Sequence, residues 1–358
     1  MRIAHLIHGE FYAGAEKVQD HIFSGLNQKE DIDLTVLLYK SGVYLDRSPL
    51  SEKVKYETLR GNKLLSLVRF LKGIKPDVVH CHSPVTLLLV LFTRVFGGAC
   101  KSVVYHVHSP AIEDTESKLK NFLKNAIEKV SIFFLRPYVI GVSKTVLLRS
   151  HISCENSLVI PNGVPNQSVV IPDDEFPLYL YFAGLIRPRK GFDILIRSVA
   201  ILGDDIKEKV IVKVFGEFDS KEYKQKIHNL IHELAVQDNF EFVGFVSDVQ
   251  SELRPKSLFV IPSMYGEGMP MVMLEAMSVG SVVVASNVGG INDVIENGED
   301  GLLFEAGDFT ALGGVIERCF NDFFNITDLS HNALSKQREF YSTSVMNEKI
   351  INVYRSLL

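Results

Sequence analysis

Two glutamates at a fixed spacing carry the most specific chemistry in this 358-residue chain. Glu267 and Glu275 stand eight positions apart, with a glycine and a proline between them. An apolar run, Ser257–Pro262, precedes them and predicts a buried strand. Pro270 suits the first position of a helix, and Gly280 suits the position just past its end. Glu267 is therefore predicted in a strand-to-helix loop, and Glu275 about one and a half turns into the helix.

The predicted loop and helix start offer a site for a hydroxylated or anionic ligand. Gly268 would let the loop backbone approach a ligand closely, and the N–H groups at a helix start favour phosphate. One carboxylate in the loop and another along the helix would hold a sugar at one end and a ribose at the other. The pattern thus indicates a nucleotide-sugar site. A single glutamate in such a place is usually a solvated surface residue, so the prediction depends on the whole string.

The elements that would position these residues are strands alternating with helices. In the first half, strands are predicted at Ile3–Ile7, Asp33–Leu38, Val78–Cys81, Lys101–Val107, Val139–Val142 and Leu158–Ile160. The helices predicted between them are Ala15–Leu26, Lys63–Ile74, Thr86–Phe96 and Ser117–Leu135. Turn-forming residues then follow at Asn162–Ser168 and Ile171–Pro177, and they predict a linker.

After the linker the alternation restarts. Strands are predicted at Leu178–Ala183, Val210–Phe215, Phe240–Val243, Ser257–Pro262 and Ser281–Ser286, with helices at Gly191–Leu202, Ser220–Ala235 and Pro270–Val279. The chain then closes with helices. This interleaving predicts an α/β fold of two Rossmann-like domains with doubly wound parallel sheets. We place the domains at residues 1–168 and 169–335, with a helix in 336–358 that packs back on the first.

Composition excludes several classes of protein. Hydrophobic residues make up 46% of the chain and charged residues 23%, as in ordinary globular proteins. A net charge of −5 argues against a nucleic-acid partner. The four cysteines are scattered, which favours a reducing compartment. Since no apolar run is long enough for a signal peptide or a membrane span, we expect a cytoplasmic protein, either free or peripheral at the cytoplasmic membrane face.

Histidine pairs raise the question of a metal site. His106 and His108 fall on one face of a predicted strand, and His80 and His82 repeat the pattern. Because no third ligand stands at a suitable spacing along the chain, we predict no metal site. The sequence Asp31-Ile-Asp33 has the form used by some metal-dependent transferases, but it opens a strand near the N-terminus, and we interpret it as chance.

The string from Ser263 to Gly280 resembles the Glu-x7-Glu signature of glycosyltransferase family 4, whose members are retaining enzymes of the GT-B fold. The resemblance implies two Rossmann-like domains that face each other across a cleft. It also implies that Glu267 orients or stabilises the transferred sugar and that Glu275 accepts hydrogen bonds from the ribose. The backbone of Gly268, Met269 and Pro270 would cradle sugar and phosphate.

Further matches extend the resemblance over most of the chain. The segment Phe182–Asp193 is similar to the Gly-Arg-Leu…Lys-Gly segment of the family, and Lys190 matches its lysine. Leu185 replaces the usual arginine, so either Arg187 or Arg189 would supply the second cation for the leaving diphosphate. By the same resemblance, the loop before the first helix provides Gly14 to the donor. His108 ends its strand facing the sugar, where it would contact the donor or position the acceptor.

These residues indicate a retaining glycosyltransferase that needs no cofactor or metal and uses a nucleotide sugar, UDP- or GDP-linked, as its donor. The acceptor would be a glycan or a lipid-linked glycan in bacterial-type surface polysaccharide synthesis. Two alternatives stay open: a nucleotide-sugar epimerase of the same fold, and a non-catalytic nucleotide-sugar-binding protein. The sequence does not specify the base, the sugar or the linkage.

Two basic amphipathic segments, Arg60–Lys72 and Lys118–Arg136, could bind an anionic membrane surface. Alternatively, their apolar faces pack on the sheet. We favour packing for the first segment, whereas the sequence leaves the second undecided.

Overall fold

The computed structural model describes residues 1–10, 12–98, 100–113, 117–152, 156–171, 179–321 and 325–358. Within these ranges the chain forms two compact units. Unit 1 comprises Met1–Gly163 and Ser342–Leu358, and unit 2 comprises Val164–Tyr341. Each unit contains one sheet whose paired strands are all parallel, so the predicted α/β class with two doubly wound sheets is confirmed.

Unit 1 is built on a seven-stranded sheet in the order β3-β2-β1-β4-β5-β6-β7. Its strands are β1 (Arg2–Ile7), β2 (Asp33–Leu38), β3 (Lys55–Thr58), β4 (Val78–Cys81), β5 (Ser102–Val107), β6 (Tyr138–Gly141) and β7 (Ser157–Val159). The helices between them are α1 (Gly14–Asn27), α2 (Val43–Arg47), α3 (Lys63–Ile74), α4 (Pro84–Val95), α5 (Lys118–Leu135) and α6 (Lys144–Arg149).

Unit 2 is built on a six-stranded sheet in the order β10-β9-β8-β11-β12-β13. Its strands are β8 (Tyr179–Ala183), β9 (Ile211–Phe215), β10 (Phe240–Gly244), β11 (Leu258–Ile261), β12 (Val282–Ser286) and β13 (Leu302–Phe304). Its helices are α7 (Phe192–Ala200), α8 (Asp204–Lys207), α9 (Lys221–Glu233), α10 (Met271–Ser278), α11 (Phe309–Phe320) and α12 (Ile326–Phe340). The last helix of the chain, α13 (Thr343–Ser356), belongs to unit 1.

The central strands form because their residues suit burial on both faces. All four residues of β11 and all five of β12 are buried, and most are β-branched or aliphatic. Helices α7, α9 and α11 bury their apolar faces in the same core. In unit 1, α13 packs against α1, where the Asn347 side-chain amide donates to the His21 carbonyl oxygen at 3.0 Å.

Several elements differ from the sequence-based prediction. The short strands β3 and β13 and the short helices α2, α6 and α8 were not predicted; β3 is an edge strand with half-exposed residues, so it lacks a clear apolar alternation. Pro270 is not the first helical residue, because it is extended (ψ 125°) and α10 begins at Met271. Gly280 follows the helix end with φ +72°, as predicted. Residues 172–177 of the predicted linker, with Leu178 and Cys154, lie outside the described residues.

Candidate active site

The topology of unit 2 places two loops side by side. Strand order reverses between β8 and β11, which are paired neighbours. In open α/β sheets, ligands bind at the carboxyl ends of the strands on either side of such a reversal. The loop after β8 leads to Arg189 and Lys190, and the loop after β11 leads to Glu267. Residues that are 77 positions apart in the chain therefore meet at one edge of the sheet.

One carboxylate oxygen of Glu267 is surrounded by donors. The Lys190 ammonium donates to Oε1 at 2.7 Å, and the Ser263 hydroxyl donates to the same atom at 2.6 Å. An Arg189 guanidinium nitrogen lies 3.9 Å from it. The Glu267 side chain is only 6% exposed, so the ion pair lies in a poorly solvated place where charge–charge interactions are strong. Charge-assisted hydrogen bonds of this kind hold the carboxylate in a fixed orientation.

The protonation state of Glu267 follows from its neighbours. Burial alone would raise the pKa of this carboxyl group, but the charges of Lys190 and Arg189 and the hydrogen bonds from Lys190 and Ser263 outweigh burial. The net effect is a pKa below the ordinary value of 4.5. Glu267 is therefore a carboxylate at neutral pH and cannot act as a proton donor there.

Arg189 fastens the glutamate loop. One of its guanidinium nitrogens donates to the Tyr265 and Gly266 carbonyl oxygens at 3.3 and 3.1 Å, and its own carbonyl oxygen accepts from the Met264 N–H at 2.8 Å. The same side chain thus fixes the loop backbone and adds positive charge beside Glu267. Leu185, at the position where the family has an arginine, is exposed.

Gly191 makes the close approach of the two loops possible. Its φ is +64°, a left-handed conformation that other residues rarely adopt. A Cβ at this position would lie 1.9 Å from the Pro262 carbonyl oxygen, at the end of β11. Only glycine therefore fits between Lys190 and this strand end.

The loop after Glu267 leads directly into α10. Gly268, Met269 and Pro270 are buried, and Pro270 immediately precedes the first helical residue. Glu275 is the fifth residue of α10 and is 4% exposed, so it is not on a solvated helix face. A carboxylate is costly to bury and is kept where it has a defined partner or ligand.

Unit 1 contains two of the other predicted site residues. Gly14 is the first residue of α1, where the Ala13 N–H donates to the Glu16 carboxylate at 3.1 Å. His108 directly follows β5 and belongs to a cluster of five histidines from three adjacent strands: His5, His80, His82, His106 and His108. Burial lowers the pKa of His5 to about 3 and that of His108 to about 4, so both are neutral at pH 7.

The histidine cluster corrects one premise of the sequence analysis. A third metal-ligand candidate was missing at a suitable spacing along the chain, but the sheet supplies it. One ring nitrogen from each of His82, His106 and His108 lies within 4.8 Å of the other two, and the same holds for His5, His80 and His82. Neutral imidazoles are the form that binds metals, so both trios are candidate metal ligands by composition.

The structure thus brings together Lys190, Arg189 and Glu267 in unit 2, with Glu275 on the helix that follows. Ser263, which donates to Glu267, was not among the predicted site residues. Ser263 directly follows the proline that ends the apolar run, and this position at the end of a predicted strand could have identified it as a site residue. His5 was not predicted either, because no sequence pattern relates it to the later histidines.

Family models match both halves of the chain. Residues 165–336 match the model described as glycosyl transferases group 1, and residues 24–167 match the model described as Glycosyltransferase Family 4. Together the two matches span the candidate residues from Lys190 to Glu275 and include the histidine that follows β5.

Similar proteins cover nearly the whole chain. An Escherichia coli UDP-Gal:alpha-D-GlcNAc-diphosphoundecaprenol alpha-1,3-galactosyltransferase is 25% identical, over 99% of this chain and 96% of its own length. The Staphylococcus aureus capsular polysaccharide biosynthesis glycosyltransferase CapM is 24% identical, over 82% of this chain and 80% of its own. The crystal structure of Anabaena HepE in complex with UDP has a TM-score of 0.83 at 20% identity and covers 99% and 100% of the two chains. This likeness shows a shared fold, GT-B.

Proposed function

Because this chain belongs to glycosyltransferase family 4, we propose that it transfers a sugar from a UDP-sugar to a glycan or lipid-linked acceptor, with retention of configuration at the anomeric carbon. The observation that carries the proposal is the Lys190–Glu267 pair at the strand-order reversal of unit 2. A carboxylate for sugar hydroxyls and a cation for phosphate are thereby held next to each other. The bound UDP of the HepE structure supports uracil as the base of the donor.

Lys190 is assigned to the leaving diphosphate. Negative charge grows on the diphosphate as the glycosidic bond breaks, and fixed cations in a poorly solvated site stabilise that charge. Arg189 lies beside Lys190 and is the second cation in this proposal, although part of its guanidinium holds the loop. With two protein cations and the N–H groups of the α10 start available, the reaction does not require a divalent ion.

Glu267 is assigned to the transferred sugar. Its Oε1 already accepts from Lys190 and Ser263, whereas its Oε2 has no hydrogen bond to any residue in the described ranges. Oε2 is thus available to accept from sugar hydroxyls. Gly268, Met269 and Pro270 would present backbone groups to the same ligand, and Glu275 would accept from the ribose hydroxyls. In unit 1, Gly14 and His108 are the residues that we propose to contact substrate.

The acceptor is proposed to be lipid-linked, as the name of the E. coli relative states for that protein. None of the described helices combines the length and apolarity needed to cross a membrane. Helix α5, however, leaves an apolar face exposed at Leu119, Phe122, Val130 and Phe133, which are 49–72% exposed. Exposed lysines at 118, 120 and 129 accompany this face.

We assign this apolar and basic surface of α5 to an anionic bilayer. Phe92, Val95 and Phe96, on and just after the neighbouring helix α4, extend the apolar area. Lysines near a negatively charged membrane contribute about 1 kcal/mol each. In contrast, α3 buries Leu67, Val68 and Leu71, so its apolar face packs within unit 1, as favoured by the sequence analysis.

The transfer reaction tests the proposal directly. Purified protein is incubated with each of several UDP- and GDP-sugars and a lipid-linked saccharide, and the product is analysed by mass spectrometry and by NMR of the anomeric proton. We expect one UDP-sugar to be consumed only when acceptor is present, in EDTA as well as in Mg²⁺, with the anomeric configuration retained. Isomerisation of the donor without acceptor would favour the epimerase, and donor binding without turnover would favour a binding protein.

A further inference from the structure

A continuous series of hydrogen bonds links four histidines of the cluster through one tyrosine. His108 Nε2 lies 3.1 Å from His82 Nδ1, and His82 Nε2 lies 2.9 Å from His5 Nδ1. His5 Nε2 lies 3.0 Å from the Tyr354 hydroxyl, which lies 2.5 Å from His80 Nδ1. The hydrogen bonds therefore run from the residue after β5 to the residue after β4, then through β1 to α13, and return to β4 itself at His80. We call these five residues the histidine chain.

Ring geometry distinguishes hydrogen bonds from a shared metal ion. The ring centres of His82 and His5 are 5.2 Å apart with an interplanar angle of 25°, and those of His82 and His108 are 5.4 Å apart at 16°. In both pairs the distance between ring centres is longer than the N···N distance by about the width of one ring. The two nitrogens therefore lie close to the line that joins the ring centres, and the two rings are nearly coplanar. That is the geometry of an N–H···N bond. Ligands of a tetrahedral ion instead converge on one point, whereas His82 contacts its two partners through opposite nitrogens.

The hydrogen bonds couple the tautomers of the four histidines. A neutral imidazole has one N–H and one lone pair, so a ring that accepts at one nitrogen must donate from the other. If His108 donates from Nε2, then His82 and His5 also donate from Nε2. The Tyr354 hydroxyl then accepts from His5 and either donates to His80 Nδ1 or accepts from it as well. If the direction is reversed, every ring carries its proton on Nδ1. His5, His82 and His108 therefore share one tautomer in either direction, and His80 shares it whenever Tyr354 donates a hydrogen bond to His80 or to His5.

The direction of the hydrogen bonds in the histidine chain determines whether His108 offers a donor or an acceptor to a ligand. His108 Nδ1 is buried and has no hydrogen-bond partner among the described residues, and the same holds for His80 Nε2 at the other end. With protons on Nε2, His108 Nδ1 is an acceptor; with protons on Nδ1, it is a donor. Residues far from His108 thus determine its role toward a substrate hydroxyl.

We propose that His82, His5 and Tyr354 are positioning residues that fix the orientation and tautomer of His108. This inference rests on the proposed function in one respect, the contact of His108 with substrate. Tyr354 is the one member of the histidine chain that is not a histidine. It lies on α13 and is 0% exposed. Replacing it with phenylalanine keeps the ring and removes the hydroxyl, so His5 Nε2 and His80 Nδ1 lose their partner.

The tautomers are measured by NMR of ¹⁵N-histidine-labelled wild-type protein, which requires no variant. We expect His5, His82 and His108 to show the same tautomer, and different tautomers among these three would overturn the proposed hydrogen bonds. Zinc is then titrated into the sample. Stoichiometric zinc binding that removes these N–H signals would show that the histidines form a metal site and would overturn the proposed hydrogen bonds. Unchanged N–H signals would support the hydrogen bonds.

The positioning role is tested with Tyr354→Phe. We expect His5 and His108 to lose their single tautomer and kcat to fall about tenfold to a hundredfold, with KM for the donor nearly unchanged. Tyr44→Phe is the matched control, because it removes another buried hydroxyl of unit 1, one that donates to Asp20. Altered tautomers with unchanged kcat would refute the positioning role. If the wild-type protein transfers no sugar, the proposed function is wrong. The NMR measurement still shows whether the histidines are linked by hydrogen bonds.

Discussion

The backbone of Glu267 leaves no room for a side chain at residue 289. A Cβ on Gly289 would lie 2.1 Å from the Glu267 carbonyl oxygen, which also accepts from the Gly290 N–H at 2.9 Å. The turn after β12 is therefore in direct contact with the loop that carries the ion pair. The conformation of the Glu267 loop therefore depends on the segments that follow both strands next to β11, namely β8 and β12.

Gly289→Ala should displace this loop. The new methyl group clashes with backbone, and the left-handed φ of +54° adds strain of about 1 kcal/mol. We expect a lower Tm and a loss of transfer activity. Gly298→Ala is the control: Gly298 has φ +88°, and a Cβ added there would have nothing within 4 Å, so this variant bears the strain without the clash. Equal effects in the two variants would contradict the assigned contact.

Lys190→Ala should reduce kcat about 10²- to 10³-fold if the ammonium stabilises the leaving diphosphate. It also leaves the buried Glu267 carboxylate with less positive charge nearby, so the pKa of Glu267 should rise. Thermal unfolding of the double variant with Glu267→Gln separates these effects, because removing the uncompensated charge should restore the Tm while the transfer defect remains. Steady-state kinetics with a UDP-sugar provide the measurement, and Lys221→Ala, at an exposed lysine of the same unit, serves as control.

Glu275→Gln should weaken donor binding about tenfold while keeping the shape of the buried side chain. If Glu275 accepts from the ribose, wild-type protein should bind UDP more tightly than 2′,3′-dideoxy-UDP, and the variant should not discriminate between them. Calorimetric titration of both nucleotides gives the comparison. Persistent discrimination by the variant would place the ribose elsewhere.

Unit 1 should lose stability as the pH falls below about 6.5. The pKa values of His5 and His108 are lowered from 6.5 to about 3 and about 4, so the unfolded chain binds protons that the folded chain does not. Each such group destabilises the fold by about 1.4 kcal/mol per pH unit until its folded-state pKa is reached. Urea midpoints between pH 7 and pH 5 should therefore decrease.

The control for this pH dependence is the exposed His331, whose replacement by Gln should leave the slope unchanged. His108→Gln should make the slope shallower by about one proton. Stability that does not change between pH 7 and pH 5 would mean that these histidines are not buried as neutral groups.

The α5 surface should bind anionic vesicles in low salt and release them in high salt. Phe122→Ser and Phe133→Ser, combined, should abolish flotation with vesicles of phosphatidylglycerol, because they remove apolar area that would enter the bilayer interface. Phe340→Ser changes an exposed phenylalanine of unit 2 and should have no effect. Retention of binding by the double variant would move the membrane contact away from α5.

Local pattern was sufficient to predict the principal elements. Helix α3 and strand β4 lie at their predicted bounds. The apolar residues of α3 repeat with the helical period, and β4 is a short run that suits burial on both faces of a parallel sheet. The short edge strand β3 has no such repeat, and its pairing with β2 supplies the order that its own sequence lacks. The spacing of Glu267 and Glu275 likewise depends on a single loop and helix, so the sequence could predict it.

Contacts between distant residues required the tertiary structure. The sequence indicated a lysine and a glutamate of matching chemistry, but only the pairing of β8 with β11 brings Lys190 to Glu267 and allows Ser263 to donate to the same oxygen. The histidine chain depends even more on tertiary structure, since its members His5 and Tyr354 are 349 positions apart in the sequence. Sequence alone determined which elements form and which chemical groups they carry, because periodicity and turn residues act over a few positions. The order of the strands in the sheets decided which of those groups meet, because neighbouring strands need not be neighbours in the chain.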